Sequence, residues 1–181
     1  LDPADMIQKM EIFQPKLVAV THVPTNSGLI QEVAQIGQAC QDRGIYYLLD
    51  ACQSAGQLVL DVKTLGCDFL SATTRKFLRG PRGTGFLYVS NRVLHTELSP
   101  LFLDLHSAAW SRDDQYTPRK DAMRFELWEK PYALMLGAAK AVEYANKIGL
   151  DRIEQQVKYL SDYLRASLSS LPRVRVLDQG I

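Results

Sequence analysis

The stretch Ile45-Tyr46-Tyr47-Leu48-Leu49-Asp50-Ala51-Cys52-Gln53-Ser54-Ala55-Gly56 decides how this chain is read. Its first half is an unbroken apolar and aromatic run of strand length. Runs without polar alternation suit the strands of a parallel sheet, which is covered on both faces. The run stops at Asp50. An acid at the end of a buried strand needs a partner, because burying a lone charge is costly. The sequence leaves two partners open: a cationic ligand, or the backbone N–H groups of a following short helix that Asp50 would cap.

The pattern repeats on both sides. Upstream, Lys16-Leu17-Val18-Ala19-Val20-Thr21 is a second apolar, β-rich run, followed by the turn-rich Pro24-Thr25-Asn26-Ser27-Gly28. Between the two runs, Ile30, Val33, Ala34, Gly37 and Cys40 fall on one face of a helix, with Gly44 as its C-cap. Downstream, Asp68-Phe69-Leu70-Ser71-Ala72 and Gly85-Phe86-Leu87-Tyr88-Val89 read as two further strands. Strand, helix, strand predicts an α/β fold with a mostly parallel sheet flanked by helices. Ligands of such sheets sit beyond the carboxyl ends of the strands, where Thr21, Asp50 and Thr73 fall.

Past residue 90 the pattern weakens, and 91–124 reads as a long, charged, Pro-containing connection. Two helices follow. The first has Leu134, Ala138, Ala141, Val142 and Ala145 on one face; the second has Ile153, Val157, Leu160, Leu164, Leu168 and Leu171. The chain then closes on a strand-like Val174-Arg175-Val176-Leu177, whereas Leu1 opens as if in the middle of a helix. It reads as a piece of something longer. The expected divisions are 1–125, part of a large domain; 126–171, connecting helices; and 172–181, the start of a second, smaller domain.

Composition narrows the function classes. The 181 residues are 46% hydrophobic and 23% charged with a net charge of +1. That balance gives no reason to expect nucleic acid or an anionic membrane as partner. No apolar run approaches the length of a membrane span. Asp2, Asp5, Lys9 and Glu11 interrupt any apolar core of a cleavable signal. Cys40, Cys52 and Cys67 are odd in number and widely spaced, which argues against a disulfide framework or a metal site and for a reducing, cytoplasmic compartment.

The reactive candidate is Lys76, in Thr73-Thr74-Arg75-Lys76-Phe77-Leu78-Arg79-Gly80-Pro81-Arg82-Gly83-Thr84-Gly85. It lies just past a strand, and glycines then allow a tight return into the next one. Alone, the string reads more readily as a solvated basic turn. Together with a strand-end acid (Asp50), an amide one turn on (Gln53) and a hydroxyl and guanidinium (Thr73, Arg75), it meets the needs of pyridoxal 5′-phosphate (PLP). That cofactor requires a lysine for its aldehyde, a carboxylate for its ring nitrogen and donors for its phosphate.

In this order and spacing, Asp50-Ala51-Cys52-Gln53-Ser54, Cys67-Asp68-Phe69, Thr73-Thr74-Arg75-Lys76 and the glycine turn at 80–85 resemble the class V aminotransferase family of PLP enzymes. The family includes cysteine desulfurases, isopenicillin-N epimerase-like proteins and the C–S lyases of ergothioneine synthesis. The resemblance implies part of the large domain of a fold type I PLP-dependent transferase. It implies a Schiff base on Lys76, pairing of Asp50 with the pyridinium, a contact of Gln53 with the phenolate oxygen, and phosphate binding by Thr73 and Arg75. Thr25 stands where the family loop usually carries asparagine at the cofactor edge. Arg75, in place of the desulfurase histidine, and Arg124-Phe125-Glu126-Leu127-Trp128-Glu129 resemble the epimerase-like and lyase branch. The implied function is PLP chemistry on an amino acid or amino-acid-derived substrate (C–S lysis, transamination or epimerisation), in a homodimer of the full-length protein. The alternative is an inactive fragment or a non-enzymatic binding relative.

Overall fold

The computed structural model describes residues 1–177. Four strands form one sheet in the order β1-β2-β3-β4: β1 (Leu17–Thr21), β2 (Tyr46–Asp50), β3 (Phe69–Thr73) and β4 (Gly85–Val89). The first three are parallel, with Thr21 opposite Asp50 and Asp50 opposite Ser71. Their carboxyl ends therefore lie side by side. Strand β4 returns antiparallel, pairing Thr73 with Gly85. The 74–84 segment joins its two neighbours by a tight loop instead of a crossover helix, and that loop length dictates the antiparallel sense.

Helices α1 (Pro3–Phe13), α2 (Val33–Asp42), the short α3 (Val62–Leu65), α5 (Tyr132–Ile148) and α6 (Leu150–Ser169) supply the main core with β1–β3. Val18, Val20, Tyr47, Leu49, Leu70 and Ala72 meet Met10, Ile36, Cys40 and Ala145 there, with Ile153 packed against them. The opposite face carries a smaller cluster of Phe69, Val89 and Val93, with Phe125 edge-on to Phe69. Leu17 and Leu87 remain exposed. The unbroken apolar strands predict cover on both sides, yet burial alternates along β1 and β2. Short α4 (Asn91–Leu94) and the 3-10 turn Ala122–Phe125 pack about β3 and β4 on the second face, with Tyr46 and Leu48 of β2 at the margin of that cluster.

Three expectations are corrected. Leu1 does not open inside a helix: Asp2 caps α1, accepting the Ala4 amide at 2.9 Å, and Pro3 occupies the first turn. The 91–124 stretch is not a bare connection. It contains α4 and a hairpin of β5 (Ala108–Arg112) and β6 (Gln115–Pro118), closed at Asp113-Asp114. The run 174–177 forms no strand, having no partner strand among the described residues. The remainder of the proposed second domain, 178–181, lies outside the described residues.

A buried ion pair fixes the register of β2, β3 and β4. Asp68 accepts the Tyr47 amide (3.0 Å), the Ser90 hydroxyl (2.9 Å) and Arg92 Nε (2.8 Å), with a further bond from Arg92 Nη2. Burial opposes its charge, but Arg92, Tyr47 and Ser90 outweigh it and hold Asp68 below the usual carboxylate range.

Candidate functional site

The site is built where β2 and β3 end together. The Ala51 amide donates to the Ser71 carbonyl (2.8 Å), continuing the pairing one residue past Asp50. The chain then turns, with the Ser54 and Ala55 amides both donating to the Ala51 carbonyl (3.1 and 2.8 Å). Within this turn the Cys52 amide donates to Asp50 Oδ1 at 2.9 Å. The capping role left open by the sequence is thus realised, from inside the turn. Among the described residues Asp50 has no salt bridge, although it is half-buried.

Strand β3 runs on to Thr73 and into the loop 74–84. The Thr74 amide donates to the Thr84 carbonyl (3.1 Å), and the Gly80 amide to the Thr74 carbonyl (2.8 Å). The Thr74 hydroxyl bonds Thr84 Oγ1 and donates to the Pro81 carbonyl (3.1 Å). The Thr73 hydroxyl donates to the Thr84 carbonyl at 3.3 Å. These bonds knit the base of the loop that carries Arg75 and Lys76. The turn after Asp50 packs directly on this loop. Gly56, at φ +93°, lies so close that a Cβ would meet Leu78 N at 2.5 Å and the Phe77 carbonyl carbon at 2.6 Å.

Lys76 is half-buried and lines a cleft of about 380 Å³ with Gly56, Gln57, Phe77, Arg79 and, from α6, Arg152 and Gln156. Thr25 and Gln53 line an adjoining groove of about 1060 Å³. Both hollows share Gln57, Phe77 and Val157, so they run side by side between the strand ends and α6. Asp50 and Thr73 line neither; they stand at the neighbouring ends of β2 and β3, with Lys76 three residues past Thr73 on the loop. Burial and the Asp50 carboxylate push the Cys52 thiol up, whereas the Thr73 backbone and the Lys76 charge pull it down. Of the six candidates, then, Asp50 and Thr73 share the strand-end edge, and Lys76 stands on the loop packed against the Asp50 turn. Gln53 and Thr25 stand along the neighbouring groove, and Arg75 is exposed on the loop.

Sequence reasoning missed the link that ties the 22–31 loop to the Asp50 turn. His22 is buried, and its Nδ1 lies 3.0 Å from Ser54 Oγ. Its amide donates to the Asp50 carbonyl, and its own carbonyl accepts the Gln31 amide, both at 2.9 Å. Burial lowers the pKa of His22 and favours the neutral ring. A histidine directly after a strand-end threonine was the available signal. Further off, Arg124 is buried and donates to the Thr96 (3.0 Å) and Leu94 (3.2 Å) carbonyls, closing the end of α4. Trp128 is 59% exposed, its ring against His106.

Known proteins give this arrangement its context. The model of the class V aminotransferases matches residues 1–180. A probable cysteine desulfurase of Methanothermobacter thermautotrophicus is 36% identical over 156 residues, covering 86% of this chain and 39% of that protein. The apo cysteine desulfurase of Thermococcus onnurineus NA1 superposes with a TM-score of 0.82 at 34% identity, covering 93% of this chain and 42% of its own. The cystine C–S lyase C-DES has been solved with its product cysteine persulfide (TM-score 0.84, 26% identity, 98% of this chain and 48% of that one). It has also been solved as a variant with glycine covalently linked to its PLP cofactor (TM-score 0.86, 26% identity, 98% and 47%). The chain spans about two fifths of the length of the curated relatives it matches. On the strength of that match across nearly all of its residues, the chain belongs to the class V aminotransferase family.

Proposed function

We propose that this chain contributes the lysine segment of a PLP-dependent enzyme acting on an amino acid or amino-acid-derived substrate, by C–S lyase or aminotransferase chemistry. The observation that carries the reading is the packing of the Asp50 turn, through Gly56, onto the loop that carries Lys76, where parallel β2 and β3 end side by side. The fit to the cofactor rests on Asp50. It is a half-buried carboxylate held by an amide of its own turn and, among the described residues, without a cation, the complement of a protonated ring nitrogen.

In this reading Asp50 holds the proton on the ring nitrogen. Lys76 anchors the cofactor and afterwards moves a proton at the substrate Cα. Gln53 orients the phenolate oxygen, Thr25 stands at the cofactor edge, and Thr73 and Arg75 hold the phosphate. When bound, PLP supplies an aldehyde carbon for amines and a ring that withdraws electrons from Cα. The glycine-packed junction holds the Asp50 turn against the loop that carries Lys76. The relatives' names favour a sulfur-containing substrate such as cysteine or cystine. We place the full-length protein in the cytoplasm as a homodimer. The exposed Phe102, Leu127, Trp128 and Tyr132 suit a subunit contact.

The test is to add PLP, reduce with borohydride and map the modified peptide. Modification of Lys76 is expected, with Lys76→Ala unlabelled. Labelling confined to other lysines refutes the proposal. Asp50→Asn is expected to lower turnover far more than cofactor attachment.

A further inference from the structure

His22 directly follows β1 and is 6% exposed; Ser54, in the turn after Asp50, is 0% exposed. Their side chains meet across thirty-two residues of sequence, with Nδ1 of the ring 3.0 Å from the hydroxyl oxygen. The backbone of His22 works in the same place. Its amide bond to the Asp50 carbonyl carries the pairing of Thr21 with Asp50 one step further. Its carbonyl accepts the Gln31 amide and so closes the 22–31 loop on itself. Ser54 is the hub of the facing turn. Its amide donates to the Ala51 carbonyl (3.1 Å), and its own carbonyl accepts the Gln57 (3.1 Å) and Leu58 (2.9 Å) amides.

The two segments joined in this way are two sides of the groove of about 1060 Å³. Val23, Pro24, Thr25 and Asn26 line it from one, and Gln53, Gln57 and Leu58 from the other. Thr25 stands three residues beyond His22, and Gln53 immediately precedes Ser54. A buried histidine against a serine also has the makings of a base and a nucleophile. Here neither residue lines either hollow, and Ser54 is fully buried. Its hydroxyl donates to the Ala51 carbonyl (3.4 Å), so Nδ1 is the donor of the pair. A ring whose proton is held by a buried acceptor orients the chain around it and leaves the chemistry to other groups.

We infer that His22 is a positioning residue: through Ser54 it fixes the Thr25 loop against the turn that carries Gln53, and so sets the two groups on either side of the groove. Neither His22 nor Ser54 touches the ligand or exchanges a proton with it. The consequence for the cofactor's edge and phenolate oxygen rests on the PLP reading; the pin between the two segments is a property of the protein without cofactor.

The test uses the full-length protein, first without PLP. Amide hydrogen exchange is followed by NMR in Ser54→Ala, which removes one buried oxygen and keeps the shape of the site. Exchange at Gln31 is expected to accelerate about fivefold, the net worth of one hydrogen bond. The Tyr47 amide, held by Asp68 at 3.0 Å, is expected to stay as it was. Unchanged exchange at Gln31, or equal acceleration at Tyr47, overturns the inference. Two variants of the ring follow. In His22→Asn the amide nitrogen stands as many bonds from Cβ as Nδ1 does and keeps a donor; His22→Leu keeps none. Gln31 exchange is expected near the parent rate in the first and accelerated in the second, and equal rates in the two overturn the inference. With PLP bound, the pH midpoint of the cofactor's absorbance is read. A displaced Gln53 gives up its bond to the phenolate oxygen, so the midpoint is expected to rise by about half a unit or more in Ser54→Ala and His22→Leu. It is expected to return towards the parent in His22→Asn. Parent midpoints in all three variants, with Gln31 exchange accelerated, reduce the pair to a support of the fold and overturn the positioning role. Failure of Lys76 to label, with exchange moving as expected, overturns the cofactor reading and upholds the pin.

Discussion

Gly56→Ala tests whether the Asp50 turn and the Lys76 loop act as one unit. At φ +93°, alanine strains the backbone by roughly 1–2 kcal/mol. The added methyl would also sit 2.5 Å from Leu78 N, 2.6 Å from the Phe77 carbonyl carbon and 2.8 Å from the Phe77 oxygen. All three are backbone atoms, with no flexible side chain to give way. The loop must retreat by about 1 Å, and overpacking of this kind costs about 1–3 kcal/mol more. The summed loss of about 2–5 kcal/mol is measurable as a fall in the urea midpoint. The retreat begins one residue past Lys76, so PLP labelling of Lys76 should slow as well, and a misplacement near 1 Å can cost about a hundredfold in rate. Gly44→Ala is the control. Gly44 also has positive φ (+68°), but no neighbour lies within 4 Å of the added methyl, so backbone strain alone applies. Equal stability loss in the two variants, with Lys76 labelling unchanged in both, would refute the coupling.

Asp68→Asn should destabilise the fold by about 2–3 kcal/mol in denaturant titration. This falls below the usual cost of breaking a buried pair, because Arg92 is 38% exposed and regains water. Acid should act on the same group. Its folded pKa is depressed, so its stabilisation is complete above the unfolded value of 3.8 and is lost as pH falls through the folded value. His22 makes stability fall earlier. Its ring is held below 6.5 by burial, so the unfolded chain takes up the proton first, and stability declines as pH drops below that value. His22→Gln should flatten this part of the profile, measured as the urea midpoint between about pH 7 and 5. Arg124→Lys keeps the charge but cannot span the Thr96 and Leu94 carbonyls. A loss of roughly 2 kcal/mol is expected by thermal unfolding, with Lys76 labelling retained.

The strands were legible because their signal is local. Leu17–Thr21, Tyr46–Asp50, Phe69–Thr73 and Gly85–Val89 fall within a residue of the apolar runs that announce them. The hairpin at 108–118 was not, since its alternation is short and diluted by Pro118 and paired aspartates. Asp50 and Lys76 stood out because a charge at the end of an apolar strand is conspicuous. His22 and Ser54 did not, since a polar residue in a turn reads the same whether it faces solvent or a buried partner.

Linear order alone determined the α/β pattern, the residues at the strand ends and the family motifs, because periodicity, turn chemistry and spacing are written along the chain. Only the tertiary structure decided which strand ends meet and that β4 runs antiparallel. It alone decided that α5 and α6 share one face with α1 and α2, and that the Asp50 turn packs on the Lys76 loop. Those outcomes depend on contacts between residues far apart in sequence, where packing and burial choose among arrangements that local propensity leaves equivalent.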